Sequence, residues 1–214
     1  MLQVSQIERG DPLNIVEIVA SIFGFFAVAL TILRNPWCWP IGLVQVVLYI
    51  SVFYEAKLYS DMLLHIVFVG LQFYGWGQWY QSQWHRSDPT VEHASREIRV
   101  ECLSLRGSLA AISVCLVLSG FIGISMRMFT DAAWPFADAF IAGTSLVAQW
   151  LLAKRKLESW YLWIAVDIVA IVVFSAKGLI PTTCLYVLFL IMSIFGAIEW
   201  HRKWRATTGT AMLL

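Results

Sequence analysis

Charge is scarce in this chain. Only 14% of its 214 residues are Asp, Glu, Lys or Arg, where a soluble domain carries about 25%. The formal net charge is +1, so no basic face exists for a nucleic acid. Cysteine is thin as well. Cys38, Cys102, Cys115 and Cys184 show neither CxxC nor Cys/His spacing, which leaves no metal centre or disulfide framework to predict. No GxxxxGK[ST] loop is present, so ATP is not hydrolysed here. HExxH, a serine elbow and paired intramembrane carboxylates are missing too, and with them the common hydrolase and proton-pump designs. The last apolar segment has no mid-membrane lysine, which argues against a retinal-type photoreceptor. No enzyme activity and no cofactor are expected. The N-terminus (MLQVSQIERGDPLN) lacks a basic region leading into a cleavable apolar stretch, so insertion is expected to rely on the spans themselves.

Apolar residues make up 59% of the chain, and the mean hydropathy is +0.71. The apolar runs continue around every helix face for ~18–21 residues, the length a bilayer requires. Eleven tryptophans, many at segment ends, form an interfacial belt. These features predict a polytopic membrane protein. Breaks at Gly, Pro and charged residues give seven spans, near 13–33, 37–54, 59–80, 108–126, 134–153, 160–176 and 179–199. The links RNP (34–36), YEAKL (54–58) and KRKLES (154–159) are short enough to force antiparallel neighbours. Basic residues divide unequally between the two sides. Arg34, Arg86, Arg96, Arg99, Arg106, Lys154, Arg155, Lys156, Arg202, Lys203 and Arg205 lie on one side, and only Arg9, Lys57, Arg127 and Lys177 on the other. The positive-inside rule then puts the N-terminus outside and the C-terminus in the cytoplasm.

Sliding the chain over itself by 121 residues reveals an internal match. Arg34 meets Arg155, Trp39 meets Trp160, Phe53 meets Phe174, Phe68 meets Phe189, Gly75 meets Gly196 and Trp79 meets Trp200. Two three-helix units joined by one linker helix must face the same way across the bilayer, an arrangement transporters use with the solute site between the repeats. The expected fold class is an all-α membrane protein with seven transmembrane helices in a 3+1+3 parallel repeat. Its parts are an extracytoplasmic N-terminus (1–12), a first bundle (13–80), a cytoplasmic loop (81–107), a linker helix (108–126), a second bundle (134–200) and a cytoplasmic tail (201–214).

An ionisable group at bilayer depth costs at least ~2.5 kcal/mol, so it normally faces the bundle interior and marks function. Asp167 is the deepest charge. In the stretch ESWYLWIAVD it shares one helix face with Trp160 and Trp163. Gln45 and Gln72 are mid-span, and His65, Gln72 and Trp76 recur at i, i+7 and i+11, as do Asp138, Ser145 and Gln149. Plainer readings stand beside these. Trp160 and Trp163 could be belt residues, Asp167 could bond Gln149, Ser145 or backbone, and His65, with no second His in helical reach, reads as a hydrogen-bonded interior residue more readily than as a metal ligand. Glu17 and Asp138 sit near the outer ends, where packing or capping suffices. Taken together, the amides, carboxylate and indoles predict a cage for a flat, hydroxylated, cationic solute, since indoles stack on rings and attract cations.

The stretches WPIGLVQVVLYISVFYEAKLYSDMLLH and YGWGQW, then DAFIAGTSLVAQWLLAKRKLESWYLWIAVD, KGL and LYVLFLIMSIFGAIEW, resemble the signature of the bacterial PnuC-type nicotinamide riboside transporters. The resemblance implies a homotrimeric facilitator of the bacterial cytoplasmic (inner) membrane, related in topology to SWEET proteins, whose solute is trapped by a cytoplasmic kinase. Carried over by position, its binding residues are Gln45, Gln72, Gln149, Trp160 and Trp163. Asp167 stands where Asn is usual, and His65 where Gln is usual. The expected substrate-binding set is Gln45, His65, Gln72, Trp76, Ser145, Gln149, Trp160, Trp163 and Asp167. Its expected partners are nicotinamide riboside and the lipid bilayer. Thiamine is the alternative solute, and a seven-helix sensor or scaffold the alternative of another class.

Overall fold

The computed structural model describes residues 12–55, 59–84, 99–130, 134–178 and 180–211. The sequence readings for the N-terminal segment and for most of the central loop, including Arg86 and Arg96, lie outside these residues. The described residues form seven helices: α1 (Pro12–Ile32), α2 (Cys38–Glu55), α3 (Tyr59–Trp84), α4 (Leu105–Phe129), α5 (Pro135–Ala153), α6 (Glu158–Ala176) and α7 (Ile180–Ala211). No strand occurs among them; an isolated parallel bridge joins Glu101 to Lys156. Six of the helices are long and apolar enough to cross a membrane, all but α3. Length is not what sets α3 apart. Its 26 residues reach about 39 Å, but His65, Gln72 and the Gln-rich end from Gln78 dilute its apolar character. α3 and α7 both run past the apolar spans read from sequence, because their polar ends continue the helix beyond the apolar run.

Consecutive helices pack side by side except α3 and α4, and two further contacts, α3 on α5 and α1 on α7, join the chain's two halves. α1 and α5 end identically. The Arg34 and Arg155 N–H groups reach the carbonyls of Thr31 and Leu152, and the next N–H groups, of Asn35 and Lys156, reach those of Leu30 and Leu151. This is the doubly bonded Schellman stop, whose first residue past the helix takes the left-handed conformation. Arg34 and Arg155 have φ of 56° and 59° there, positions where glycine is usual. Both arginines mark what we call the basic end of the bundle.

Just beyond each turn an indole fills a slot opposite a glycine. Trp39 lies against Gly75 and Trp160 against Gly196, and a Cβ on either glycine would collide with the ring. Each indole then meets a second one edge-on, Trp39 with Trp79 at 5.4 Å and 83°, Trp160 with Trp200 at 5.5 Å and 82°. Edge-to-face pairs add about 0.5–1.5 kcal/mol to the burial of the rings themselves. The halves are clasped through the inner pair. Trp79 Nε1–H donates to the Ala153 carbonyl at 3.1 Å, and Trp200 Nε1–H donates to the Thr31 carbonyl at 3.2 Å. Their rings meet at 6.2 Å. Toward the opposite end the aromatic pattern repeats with one exchange. Phe53, His65 and Phe68 occupy the places that Phe174, Tyr186 and Phe189 take in the second half.

α4 packs on α5 through small residues. A Cβ on Gly143 would come within 2.9 Å of Ser119 Oγ, and Gly123 faces Phe136 and Ala139. Such small-residue seams let helices approach where no hydrophobic drive exists between them in lipid.

Candidate functional site

Asp167 lies in the middle of α6 and is 2% exposed. Ser193 of α7, also buried, donates its hydroxyl to Asp167 Oδ2 at 2.9 Å. The sequence reading offered Gln149, Ser145 or backbone as partners; the structure supplies Ser193, which that reading missed. Ser193 is 26 residues away and one of many serines in apolar helices, so no spacing signal singled it out. A buried carboxylate met only by a hydroxyl is poorly compensated, because taking a charge out of water costs several kcal/mol unless a counter-charge answers it.

One turn nearer the basic end, Trp163 is only partly buried. Trp160 behaves differently. It is 2% exposed, walled by Gly196 and Trp200, and its indole N–H has no partner among the described residues, as is true of Trp39. The two amides of the first half occupy glycine notches. The Gln45 side chain of α2 would contact a Cβ on Gly24 of α1 at 2.7 Å, and that of Gln72 of α3 would meet one on Gly42 of α2 at 2.5 Å. These notches bring both glutamines close to neighbouring backbone and fix their direction, a role the sequence reading did not give to Gly24 or Gly42.

On α5, Ser145 is buried and Gln149 partly so. Asp138, on the same sequence spacing, stands apart at the helix start, where Lys177 Nζ holds both its oxygens at 2.8 and 3.0 Å. That pair ties α5 to the end of α6. His65 sits among Tyr49, Phe53 and Phe68, with ring centroids 4.8–5.6 Å away. Nearby, Tyr49 and Ser21 share a hydroxyl–hydroxyl bond of 3.0 Å between α2 and α1. Trp76 is exposed. Among the described residues no group of three His, Cys, Asp or Glu side chains could hold a metal.

Comparison with known proteins gives the arrangement its context. A crystal structure of the vitamin B3 transporter PnuC superposes with a TM-score of 0.73 at 25% identity, covering 92% of this chain and 84% of that one. The nicotinamide riboside transporter PnuC of Escherichia coli (strain K12) is 24% identical over 95% of this chain and 92% of its own length. The PnuC of Neisseria mucosa is 30% identical over 78% of this chain and 65% of its own length. The riboflavin/roseoflavin transporter RibM of Streptomyces davaonensis is 24% identical over 88% and 85%. With the helical bundle and its buried polar groups, these matches define a multi-pass membrane transporter, not an enzyme. The model of the nicotinamide mononucleotide transporter family matches residues 14–202, and the chain belongs to that family.

Proposed function

We propose that this transporter is a facilitator that imports nicotinamide riboside across a bacterial cytoplasmic membrane by alternating access, the solute then being trapped by a cytoplasmic kinase. Asp167 carries the reading. It is a mid-span carboxylate whose hydrogen-bond partner among the described residues is the Ser193 hydroxyl, one turn from the partly buried indole of Trp163. A pyridinium ring supplies both the missing counter-charge and a flat face to stack. Gln45, Gln72, Gln149 and Ser145 complete the set as hydrogen-bonding groups for ribose hydroxyls and the carboxamide. Trp160 supports Trp163 from the basic end, while His65 and Trp76 border the path on α3.

In this reading α3 also spans the membrane, and the chain is a 3+1+3 parallel repeat with α4 as linker. The matched turns at Arg34 and Arg155, the paired indole slots and the reciprocal Trp79 and Trp200 bonds support a pseudo-twofold relation between the halves. The basic end is then cytoplasmic, with the N-terminus outside, the C-terminus inside, and the parts divided at the boundaries read from the sequence. A homotrimer is the proposed assembly, and no cofactor is required.

The test is titration calorimetry on detergent-purified protein with nicotinamide riboside, thiamine and riboflavin side by side. Tight binding of nicotinamide riboside alone is the expected result. Thiamine binding in its place would overturn the substrate while keeping the role of Asp167, since thiamine also carries a ring cation. Preference for neutral riboflavin, the solute in RibM's name, would remove that role as well.

A further inference from the structure

The short segment between the central loop and α4 is bound to the second half and not merely draped over it. Glu101 N–H donates to the Arg155 carbonyl at 3.0 Å, and its carbonyl accepts from Leu157 N–H at 2.9 Å. Its carboxylate takes Lys156 Nζ at 2.7 Å, an interaction that holds the Glu101 carboxyl below the usual carboxylate range. Two residues on, Leu103 N–H donates to Glu158 Oε1 at 2.9 Å. Between arginine and glutamate, Val100 is 7% exposed and packs into the apolar cluster that holds Cys38, Trp79, Leu157, Trp160 and Trp200. That cluster contains the indole clasp between the halves. At the other turn, Arg34–Pro36, Asn35 Oδ1 accepts Trp37 N–H at 3.0 Å.

We propose that residues 99–104 form a latch on the transporter's inner gate, with Glu101 and Val100 as positioning residues for the transport cycle. The argument rests on the alternating-access reading and orientation given above. A solute leaving toward the cytoplasm must pass the end where Trp79 and Trp200 clasp the halves, so that clasp has to part. The α5–α6 turn is one wall of it, through Ala153 and Leu157. Holding this turn by two backbone bonds and an ion pair, with Val100 plugged beneath, favours the closed inner mouth. Weakening the hold raises the share of molecules open to the cytoplasm. Glu101 and Lys156 are half and one-fifth exposed, so their pair acts as an adjustable bias and not as a lock.

Cys38 lies in the same cluster and is 4% exposed, so its thiol reports opening. The parent for the test retains Cys38 alone, with Cys102→Ser, Cys115→Ala and Cys184→Ser. A companion retains Cys115 alone, buried at the α4–α5 seam, and reports general loosening. A membrane-impermeant maleimide is applied to vesicles of each orientation. Removing an ion pair of this exposure changes an equilibrium about two- to fivefold. Glu101→Gln and Lys156→Gln should therefore each raise Cys38 labelling from the cytoplasmic face by that factor. The exchange Glu101→Lys with Lys156→Glu should return it to the parent rate, and Cys115 should not respond. No rise in either single variant, a rise that the exchange does not reverse, or an equal rise at Cys115 would overturn the latch. A reversible rise confined to the outer face would keep the latch and overturn the orientation. Uptake of nicotinamide riboside, measured separately, bears on the transport reading alone.

Discussion

Substituting alanine for Gly75 or Gly196 tests the packing that holds the basic end together. At Gly196 an added Cβ would lie 2.5–2.6 Å from three atoms of the Trp160 ring, where carbon–carbon contact is ordinarily about 3.5–4.0 Å. The ring would have to retreat by roughly 1 Å, and Trp200 stands behind it at 5.5 Å. Gly75 presents the same obstacle through Trp39, with Trp79 behind. Overpacking of this kind costs about 1–3 kcal/mol, with rigid indoles toward the upper part, while alanine returns up to ~1 kcal/mol in helix propensity. The net is a loss of about 1–2 kcal/mol for each variant, and a fall in melting temperature of roughly 2–8 °C for a chain of this size. Gly70 and Gly77 are internal controls, since a Cβ there meets nothing within 4 Å. Their alanine variants should melt no lower than wild type. The assay is thermal unfolding in one detergent, followed by loss of the monodisperse chromatographic peak. If Gly75→Ala and Gly196→Ala melt at or above Gly77→Ala, the slots are not tight and the reasoning fails.

Trp163→Ala should weaken nicotinamide riboside binding at least tenfold, a loss of about 1.4 kcal/mol, because the stacking face disappears; an affinity within twofold of wild type by calorimetry would remove Trp163 from the site. Asp167→Asn keeps the shape and the bond to Ser193 but deletes the charge. It should reduce binding of a cationic ring by about tenfold or more while leaving an uncharged ring analogue within about twofold, and equal effects on both would refute the counter-ion role. Acid should loosen the segment around Glu101. Its carboxyl is held below the usual range by Lys156, so the ion pair contributes fully at neutral pH and its contribution is lost as pH falls through the lowered folded-state value. Cys38 labelling, normalised to a free thiol, should therefore rise on acidification in wild type and stay flat in Glu101→Gln.

The helices were legible because lipid leaves so few alternatives: backbone groups must be paired within each span, and long apolar runs identify where. The 121-residue register was legible for a related reason. The residues that recur in it have geometric tasks, such as the left-handed turn at Arg34 and Arg155 or the glycine slots under Trp39 and Trp160. Leucine and phenylalanine matches alone would have carried little. Contacts between distant, chemically ordinary residues were not legible. Ser193 is indistinguishable in sequence from serines that bond their own helix backbone, such as Ser113, which donates to Leu109 O. Val100 stands in a polar stretch that reads as a loop throughout, and an apolar residue between Arg99 and Glu101 shows no periodicity to mark it. Trp160 and Trp163 share one face by spacing, yet Trp160 is sealed against Gly196 and Trp200 while Trp163 is only partly buried.

Symmetry and its failure divide the labour in this molecule. At the basic end the halves match in the Arg34 and Arg155 turns and in both indole slots, and each half gives the other one clasping bond, to carbonyls one residue out of register. At mid-depth they part. Where α6 has Asp167 the register places Val46, where α6 has Trp163 it places Gly42, and opposite Ser193 stands Gln72. A clasp profits from likeness, since two equal bonds open and close together. A binding site for a solute with a charged ring at one end and hydroxyls at the other cannot be built from two equal halves, which would offer the same groups to both ends. In the proposed site, the carboxylate and indole of one half and the amides of the other would supply the difference that such a solute requires. Recognition is therefore expected to respond to substitutions at the unmatched positions, and the opening and closing of the transporter to substitutions at the matched ones.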